Sequence, residues 1–427
     1  MKRLPPLLAL ALALTARAEG PAKPDLILLV LDSVRADHVT CNGYHRETTP
    51  VLDAFAKTGA NFTQAVVSGS WTQPSVMSLF TSLPPDLHGR VHWSRPHDAG
   101  AATLAGILRD AGYQTVGITA NTMSNRRFGF DKGFDHYDDY TVALRPDVSL
   151  SDISGQAATS PVLNRLAEGW LERRDPDRPL FLFIFYMDPH WDYHPPADYY
   201  ALFTDDPIPA RKGIGSLDGK EVSPAERARI VAAYDGEIRY TDTHVGHLLK
   251  TIENSPRGKN TAIAICADHG EAFWERGLIV AHGSNLHEEE IRVPLMIRGP
   301  EASGDAFAKG TVIKEQVGLI DLAPTFLDFA GITPPEVWHG KSLRPALSGT
   351  AVPERPLVLD TRVTPKTTMR GVRTSRYKIT ARPPFTELYE AYDLQADPKE
   401  LNNLVKSGAP LPEAATALIP LLKPREP

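Results

Sequence analysis

The sequence predicts an α/β fold in which a mostly parallel β-sheet is covered by helices on both faces. Three observations indicate this class: apolar runs too short for helices, amphipathic helical patterns between those runs, and acidic residues directly after several of them. Runs that are apolar at nearly every position suit strands buried on both faces. The 427 residues are enough for a large core and for about two or three domains.

The predicted strands and helices alternate along the chain. The strongest apolar run extends from Asp25 to Leu31 and ends directly before Asp32. Further strands are predicted at Gln114–Thr119, Leu180–Met187 and Thr261–Ala267, with a weaker one at Val293–Ile297. Helices are predicted from Pro50 to Lys57, over Thr103–Asp110 and over Ser223–Ile252. This alternation is typical of a parallel α/β sheet.

The composition of the chain changes from about Pro353 onward. Short strand patterns at Leu357–Asp360, Gly371–Thr374 and Lys378–Ala381 precede a polar, proline-rich tail with a weak helical pattern at Leu411–Lys423. We therefore expect a catalytic domain over residues 24–350 and a small α+β subdomain over residues 351–427 that packs on it.

The N-terminus predicts export. Lys2 and Arg3 precede an apolar run from Leu4 to Leu14, and Ala16-Arg17-Ala18 offers small residues at the positions read by signal peptidase. Residues 1–18 are therefore predicted to be a cleaved signal peptide, and the mature protein to be periplasmic or secreted without a membrane span. The alternative is an uncleaved N-terminal anchor, although the run is short for a spanning helix.

Composition and charge exclude some classes of partner. The chain is 42% hydrophobic and 23% charged, as in ordinary soluble proteins. Its net charge of -6 comes from dispersed acidic and basic residues, so no nucleic-acid-binding surface is expected. Cys41 and Cys266 could form a disulfide, but Cys266 lies in an apolar strand pattern, which favours two free, buried cysteines.

Acidic residues follow three of the predicted strands. Asp32 and Asp268 come directly after their strands, and Asp188 follows Leu180–Met187. Because open α/β sheets bind ligands at the carboxyl ends of their strands, these acids predict a site at that edge. The alternative is that each aspartate only caps a turn.

Thr72 lies where a helix is predicted to begin. Pro74 suits the first turn of a helix that continues through the apolar pattern Met77–Leu83. Thr72 could simply cap this helix. A helix N-terminus also binds anions, so a hydroxyl held there could attack a phosphate or sulfate group.

Asp268-His269-Gly270 supplies candidate ligands for a divalent cation. Aspartate and histidine are competent metal ligands, and Gly270 permits a tight turn beside the metal. A metal beside Thr72 would lower the pKa of its hydroxyl and so activate it as a nucleophile. Asp32 would reach the same cation from its own strand end.

Together, these segments and their surroundings resemble the sulfatase family of the alkaline phosphatase superfamily. The resemblance extends from about Pro24 to Leu404. Its motifs are Leu31-Asp32-Ser33-Val34-Arg35-Ala36-Asp37-His38, Gly43-Tyr44, Thr49-Pro50-Val51-Leu52-Asp53, Tyr186-Met187-Asp188-Pro189-His190, Asp268-His269-Gly270-Glu271, His282-Gly283, Glu288-Glu289, Arg292-Val293-Pro294, Tyr392-Asp393-Leu394, Asp397-Pro398 and Asn403-Leu404. It implies an alkaline phosphatase-like fold, with a large mixed, mostly parallel sheet between helices and a small C-terminal sheet.

The resemblance also implies roles for individual residues. Asp32, Asp268 and His269 would bind one metal ion together with Thr72, which would be the nucleophile. His190 and His282 would contact the anionic group or the leaving oxygen of the substrate, as binding and catalytic residues; His282 alone could equally be a solvated loop histidine.

Two positions depart from the sulfatase pattern at the nucleophile. Thr72 stands where sulfatases carry Cys or Ser that matures to formylglycine, and Val76 stands at the position of an arginine. The threonine methyl group should prevent formylglycine formation, so a covalent ester on Thr72 would have to be hydrolysed by water or transferred to another acceptor.

The metal ligands also depart from the calcium-binding pattern. Ser33 replaces the second aspartate of the usual pair, and His269 stands where many calcium-binding sulfatases have an amide. Fewer carboxylates and an imidazole favour Mn²⁺ or Zn²⁺ over Ca²⁺ or Mg²⁺.

The leading hypothesis is an exported, metal-dependent hydrolase of phosphate or sulfate esters that uses Thr72. Three alternatives stay open: a formylglycine-independent arylsulfatase, a phosphoglycerol or phosphoethanolamine transferase, and an inactive glycan-binding member. The substrate would be a small-molecule or glycan ester. Loop residues 191–217 could cover the site, and packing is favoured over substrate stacking for its aromatic residues Trp191, Tyr193, Tyr199 and Tyr200.

Overall fold

The computed structural model describes residues 23–90, 100–139, 159–208, 221–277, 280–305 and 307–425. The predicted signal peptide and residues 209–217 of the predicted site loop lie outside these described residues. No helix in the described ranges has the length and apolar character needed to cross a membrane.

The strands occur along the whole described chain. They are β1 (Asp25–Leu31), β2 (Ala60–Phe62), β3 (Ala65–Val66), β4 (Gln114–Thr119), β5 (His136–Asp138), β6 (Leu180–Tyr186), β7 (Thr261–Ala267), β8 (Ala272–Phe273), β9 (Val280–Ala281), β10 (Arg292–Val293), β11 (Leu295–Arg298), β12 (Thr311–Ile313), β13 (Val317–Gly318), β14 (Leu357–Thr361), β15 (Met369–Arg373), β16 (Tyr377–Ala381) and β17 (Leu388–Asp393).

The helices lie between these strands. The α-helices are α1 (Pro50–Ala56), α2 (Thr72–Thr81), α3 (Pro85–His88), α4 (Leu104–Asp110), α5 (Ser160–Arg173), α6 (Ala197–Tyr200), α7 (Pro224–Asn254), α8 (Glu288–Ile291), α9 (Leu322–Phe329), α10 (Arg344–Leu347) and α11 (Glu413–Thr416). Short 3₁₀ helices are Ala36–His38, Thr40–Asn42, Thr122–Ser124, Arg126–Phe128, Gly258–Asn260, Glu301–Ser303, Leu319–Asp321 and Ile419–Leu422.

A large mixed sheet forms the centre of the fold. Among the described residues its strand order is β12-β2-β11-β7-β1-β6-β4-β5. Five strands of this sheet, β7, β1, β6, β4 and β5, run parallel to one another. β11 is antiparallel to both β7 and β2. Every residue of β1, β6 and β7 is buried. Since successive side chains point to opposite faces, both faces of the sheet are covered, as the unbroken apolar runs predicted.

The structure confirms most of the predicted elements and corrects one strand. β1, β4 and β7 have the predicted bounds, and Thr103 and Ser223 cap α4 and α7 through their side chains. The predicted strand Val293–Ile297 is instead divided between β10 and β11, which belong to different sheets. Pro294 lies between them and has no N–H for a ladder hydrogen bond.

The C-terminal strands form a separate antiparallel sheet in the order β14-β15-β16-β17. It is joined to the main body by buried ion pairs. Arg370 contacts Asp86 at 2.7 Å, and Arg373 contacts Glu288 at 2.8 Å. The tail does not form the single helix predicted at Leu411–Lys423 but α11 and a 3₁₀ turn, because Pro420 cannot continue an α-helical hydrogen-bond ladder.

Both cysteines are free, but they differ in burial. Cys266 is buried in β7, as predicted from its apolar surroundings. Cys41 is exposed, so the prediction of two buried cysteines was wrong for this residue. Its backbone N–H donates to the carboxylate of Asp53 at 2.9 Å in a short surface helix, a local arrangement that places the residue outside the core.

Candidate active site

The central residues of the site follow two neighbouring parallel strands. β1 and β7 pair in register, with Leu31 opposite Ala267, so Asp32 and Asp268 leave the sheet side by side. The carboxylates of both residues and the imidazole of His269 are completely buried. Their candidate ligand atoms all lie within 4.8 Å of one another. The predicted convergence of these residues at the carboxyl edge of the sheet is therefore observed.

Thr72 is the first residue of α2 and faces this cluster. Its Oγ1 atom lies 3.5 Å from Nε2 of His269. The N-cap residue is Trp71, and no side chain caps this end of the helix. The Thr72 hydroxyl is thus directed to the cluster and does not cap the helix. Ser75, one turn later, donates its hydroxyl to the backbone oxygen of Asp268 and ties the helix start to the end of β7.

The hydrogen bonds of the cluster leave ligand atoms free at its centre. Nδ1 of His269 donates to the Gly270 carbonyl at 2.8 Å, so Nε2 is left as a lone-pair donor. This Nε2 lies 3.3 Å from Oδ2 of Asp268 and 3.8 Å from Oδ1 of Asp32. Oδ2 of Asp268 is buried and has no hydrogen-bond partner. An orphaned carboxylate oxygen beside a free imidazole nitrogen fits a divalent cation.

The electrostatics of the protein alone support the same conclusion. Burial, and then the adjacent Asp32 carboxylate, raise the pKa of Asp268 well above its usual value. Burial, and then the neighbouring His282, lower the pKa of His269 to about 3. Two carboxylates and a neutral imidazole held together in a dry site are the groups that a metal ion stabilises.

Backbone conformation contributes to the cluster at two positions. Ser33 has a left-handed conformation with φ of 58°, and its N–H donates to Oδ1 of Asp268 at 3.2 Å. Gly270 is required by close packing, since a Cβ there would lie 2.1 Å from the Glu289 carbonyl oxygen. Non-glycine residues with positive φ tend to occur at functional sites.

Asn121 completes the cluster and was missed in the sequence. It lies two residues beyond β4, and its Nδ2 donates to Oδ2 of Asp32 and, at 3.4 Å, to Oγ1 of Thr72. Its own Oδ1 accepts from the Met123 N–H at 2.6 Å, which fixes the orientation of the amide. The sequence did carry a signal, because Asn121 follows a predicted strand end, as the acidic candidates do.

His282 lies beside the cluster and is held by Glu271. The ring centroids of His282 and His269 are 4.3 Å apart. Nδ1 of His282 lies 3.0 Å from Oε1 of Glu271, and the Tyr193 hydroxyl donates to Oε2 of that carboxylate at 2.9 Å. Burial, and then the neighbouring His190, lower the pKa of His282 to about 3, while burial raises the pKa of Glu271 to about 7. Glu271 belongs to the Asp268-His269-Gly270-Glu271 motif, but its contact with His282 was not predicted.

His190 forms the adjacent wall of the site. Its ring lies 5.1 Å from that of His282, and its Nδ1 donates to the Trp191 carbonyl at 2.7 Å. The Trp191 ring stacks on His190 at 5.5 Å. The other loop aromatics mainly pack: Tyr193 contacts Tyr234, as the preference for packing anticipated. His190 therefore contacts His282, which in turn contacts His269.

Asp188 is not part of the cluster, which corrects the expectation of three acids at one site. Its carboxylate accepts hydrogen bonds from the backbone N–H groups of Thr159 and Ser160, at 2.5 and 2.7 Å, and from their hydroxyls. Asp188 thus stabilises the N-terminus of α5, where a carboxylate satisfies free N–H groups and the helix dipole.

Comparison with family models agrees with this geometry. Residues 24–332 match the model of the sulfatase family, and residues 283–415 match the C-terminal model of N-sulphoglucosamine sulphohydrolase. The chain belongs to the sulfatase family. An arylsulfatase of Clostridium perfringens is 27% identical over 457 residues, which cover 90% of this chain and 91% of that protein. Membership of this family identifies the chain as a hydrolase of ester bonds.

Solved structures support the same fold. A protein in complex with its substrate D-glucosamine-2-N,6-O-disulfate superposes with a TM-score of 0.75 at 20% identity, over 94% of this chain and 97% of its own. The phosphonate monoester hydrolase of Agrobacterium radiobacter superposes with a TM-score of 0.70 at 21% identity, over 90% and 92% of the two chains. These likenesses establish an alkaline phosphatase-like sheet with its C-terminal subdomain.

Proposed function

We propose that this sulfatase-family chain is an exported, metal-dependent hydrolase of phosphate, phosphonate or sulfate esters that uses Thr72 as its nucleophile. The position of the Thr72 hydroxyl carries the proposal. It lies at the N-terminus of a ten-residue helix and 3.5 Å from the free nitrogen of His269. The free backbone N–H groups at that helix end would bind the oxygens of a tetrahedral anion that the hydroxyl attacks.

A divalent cation fits the cluster of Asp32, Asp268 and His269, with Thr72 beside it. When bound, the metal would lower the pKa of the threonine hydroxyl and polarise the ester. A mixed carboxylate and imidazole set favours Mn²⁺ or Zn²⁺, with Ca²⁺ or Mg²⁺ as less suited ions. Asn121 holds the Asp32 carboxylate and contacts the hydroxyl, so it keeps both groups aligned.

The side chain of Thr72 favours phosphorus as the reacting centre. A threonine ester lacks the second hydroxyl by which a formylglycine hydrate expels sulfate, so water must displace the bound group. Phosphorus esters accept this route readily. The structural likeness to a phosphonate monoester hydrolase supports including phosphonates, while the arylsulfatase relative supports keeping sulfate esters in the substrate range.

A hydrolysis panel with defined metals tests the proposal. Purified mature protein, treated with EDTA and reloaded with Mn²⁺, Zn²⁺, Ca²⁺ or Mg²⁺, would be assayed on an aryl sulfate, a phosphate monoester, a phosphodiester and a phosphonate monoester. We expect turnover with at least one ester in the presence of Mn²⁺ or Zn²⁺. Thr72→Val keeps the shape but removes the hydroxyl and should reduce kcat by about 10³-fold or more.

A matched control is available in the same helix. Thr81 is also buried in α2, and its hydroxyl donates to the Met77 carbonyl at 2.8 Å, away from the cluster. Thr81→Val should leave kcat nearly unchanged. Equal activity of Thr72→Val and wild type would disprove the nucleophile. Bound metal without turnover of any ester would instead favour a glycan-binding protein. Release of the ester's leaving group only when an alcohol is added would favour a transferase.

Formylglycine-independent arylsulfatase activity is the second candidate. The family match and the arylsulfatase relative favour it. It predicts that the aryl sulfate is the best substrate of the panel and that its hydrolysis is lost in Thr72→Val. Export is tested separately: the N-terminus of protein recovered from the periplasm or medium should begin after Ala18.

A further inference from the structure

Glu271 is a buried carboxylate that the proposed metal cluster does not use. It is completely inaccessible to solvent, and it is engaged at both oxygens. Oε1 lies 3.0 Å from Nδ1 of His282, and Oε2 accepts the Tyr193 hydroxyl at 2.9 Å. A buried carboxylate between an imidazole and a phenol is an arrangement that fixes the orientation of a histidine.

In its ionised form, Glu271 determines which nitrogen of His282 carries the proton. The ionised carboxylate only accepts hydrogen bonds, so Nδ1 donates to Oε1 whenever Glu271 is charged. The neutral imidazole then presents Nε2 as an acceptor. Tyr193 keeps the carboxylate in place, since its ring is buried against Tyr234 and Phe273 at centroid distances of 5.1 and 6.0 Å.

His282 is in ring contact with His269, which in turn contacts the proposed nucleophile. Its ring lies 4.3 Å from the ring of His269, whose Nε2 is 3.5 Å from the Thr72 hydroxyl. An ester on Thr72 needs water activated by a base, because the side chain has no second hydroxyl for an elimination. A neutral imidazole that is protonated at Nδ1 and packs against His269 can supply that base through the attacking water.

We propose that His282 is the general base that hydrolyses the Thr72 ester, and that Glu271, held by Tyr193, is the residue that positions it. The inference rests on the proposed function. In this step a water oxygen bonds to the phosphorus or sulfur atom, one water proton passes to Nε2 of His282, and the bond to Oγ1 of Thr72 breaks with its electron pair staying on Oγ1. The proton then passes from Nε2 to Oγ1 and restores the Thr72 hydroxyl, while Nδ1 keeps its own proton in the hydrogen bond to Glu271 throughout.

Glu271→Gln is the discriminating substitution because it preserves volume but reverses the hydrogen bond. If Tyr193 continues to donate to the amide oxygen, the introduced NH₂ group faces His282 and requires Nδ1 to be an acceptor. Nitrogen-15 NMR of histidine-labelled, Zn²⁺-loaded protein should show His282 protonated at Nδ1 in wild type and at Nε2 in the variant. The His282→Gln variant assigns the signal. Protonation at Nε2 in wild type would overturn the proposal.

Kinetics with bis(4-nitrophenyl) phosphate separate this role from a structural one. Slowing the second step should lower kcat of Glu271→Gln by about 10²-fold, within the range for general base catalysis, and lower KM by a similar factor. The Thr72 ester should then accumulate and be detected by intact-protein mass spectrometry. Tyr193→Phe should change kcat and KM in the same direction, but less. Loss of kcat at constant KM without an adduct would refute the role.

Glu289→Gln provides a matched control. Glu289 is also buried and pairs with Arg276 at 3.0 Å, outside the site, so this variant should show wild-type kinetics and no adduct. The NMR measurement needs no turnover. Inactivity of the wild type on every ester would therefore contradict the proposed function alone. The protonated nitrogen of His282 seen by NMR would still show whether Glu271 positions this imidazole.

Discussion

The buried carboxylates of Asp32 and Asp268 should destabilise the protein unless a cation lies between them. Their oxygens belong to a set of atoms within 4.8 Å of one another, and both side chains are fully buried. Two unit charges at this separation repel by about 3.5 kcal/mol at an effective dielectric constant of about 20. The substitution Asp268→Asn removes this repulsion and keeps Oδ1, which accepts from the N–H groups of Ser33 and His269.

The variant should therefore be more stable than wild type without metal and less stable with it. The new amide nitrogen lacks a partner, which offsets about 1–2 kcal/mol of the relief, so a net gain of about 1.5–2.5 kcal/mol is expected. With an unfolding entropy of about 0.9 kcal/mol/K for this length, that gain raises Tm by about 2–3 °C. A metal at about 100 times its Kd would stabilise wild type by about 2.7 kcal/mol.

Differential scanning calorimetry after EDTA dialysis, with and without added Mn²⁺ or Zn²⁺, measures this reversal. The sign of its pH dependence follows from the pKa of Asp268, which is raised in the folded state above an unfolded value of about 3.9. That contribution to stability is complete below about pH 4 and is lost as pH rises through the folded pKa. The Tm of metal-free wild type should thus fall relative to the variant as pH rises above about 4. A metal-free variant that melts below wild type would refute the reasoning.

Two further predictions concern stability away from the nucleophile. Lys378→Met should lower the free energy of unfolding by about 3–5 kcal/mol in denaturant titrations, because it leaves Glu400 buried without its ammonium partner at 2.5 Å. Adding Glu400→Gln should recover part of that loss, and failure to recover any would contradict the ion-pair explanation. Asp188→Ala should lower the free energy of unfolding by about 1–2 kcal/mol, because the N-terminus of α5 loses its hydrogen-bond acceptor, and should leave the metal content unchanged. Loss of bound metal in this variant would instead show that Asp188 belongs to the metal site.

The sequence predicted the site best where strand geometry alone determines position. The runs ending at Leu31 and Ala267 are apolar throughout, so their strands had to be central, parallel and buried. Their in-register pairing then places Asp32 and Asp268 together without any help from loops. The fold class and the meeting of Asp32 with Asp268 at one sheet edge could therefore be predicted from the residues alone.

Prediction failed where a residue lies beyond the strand and its direction depends on a distant helix. Asp188 follows β6 by two residues and turns to α5, whose position the sequence does not fix. Asn121 follows β4 by the same distance and turns to Asp32. The sequence patterns before these two residues are alike and do not distinguish them. The direction of a side chain after a strand depends instead on the backbone angles of the loop and on its packing partners.

The charges of the assembled site narrow the range of substrates. Asp32 and Asp268 would together balance one bound divalent cation, and His269 and His282 are neutral because burial lowers the pKa of each to about 3. Among the described residues that contact Thr72, the Asn121 amide and the start of α2 carry no full positive charge. A second negative charge on the substrate would gain no ion pair from these groups to offset its desolvation. Sulfate esters, phosphodiesters and phosphonate monoesters carry one charge at neutral pH, whereas phosphate monoesters carry nearly two. Electrostatics thus favours the first three classes, and the choice between phosphorus and sulfur depends on how readily the Thr72 ester is released.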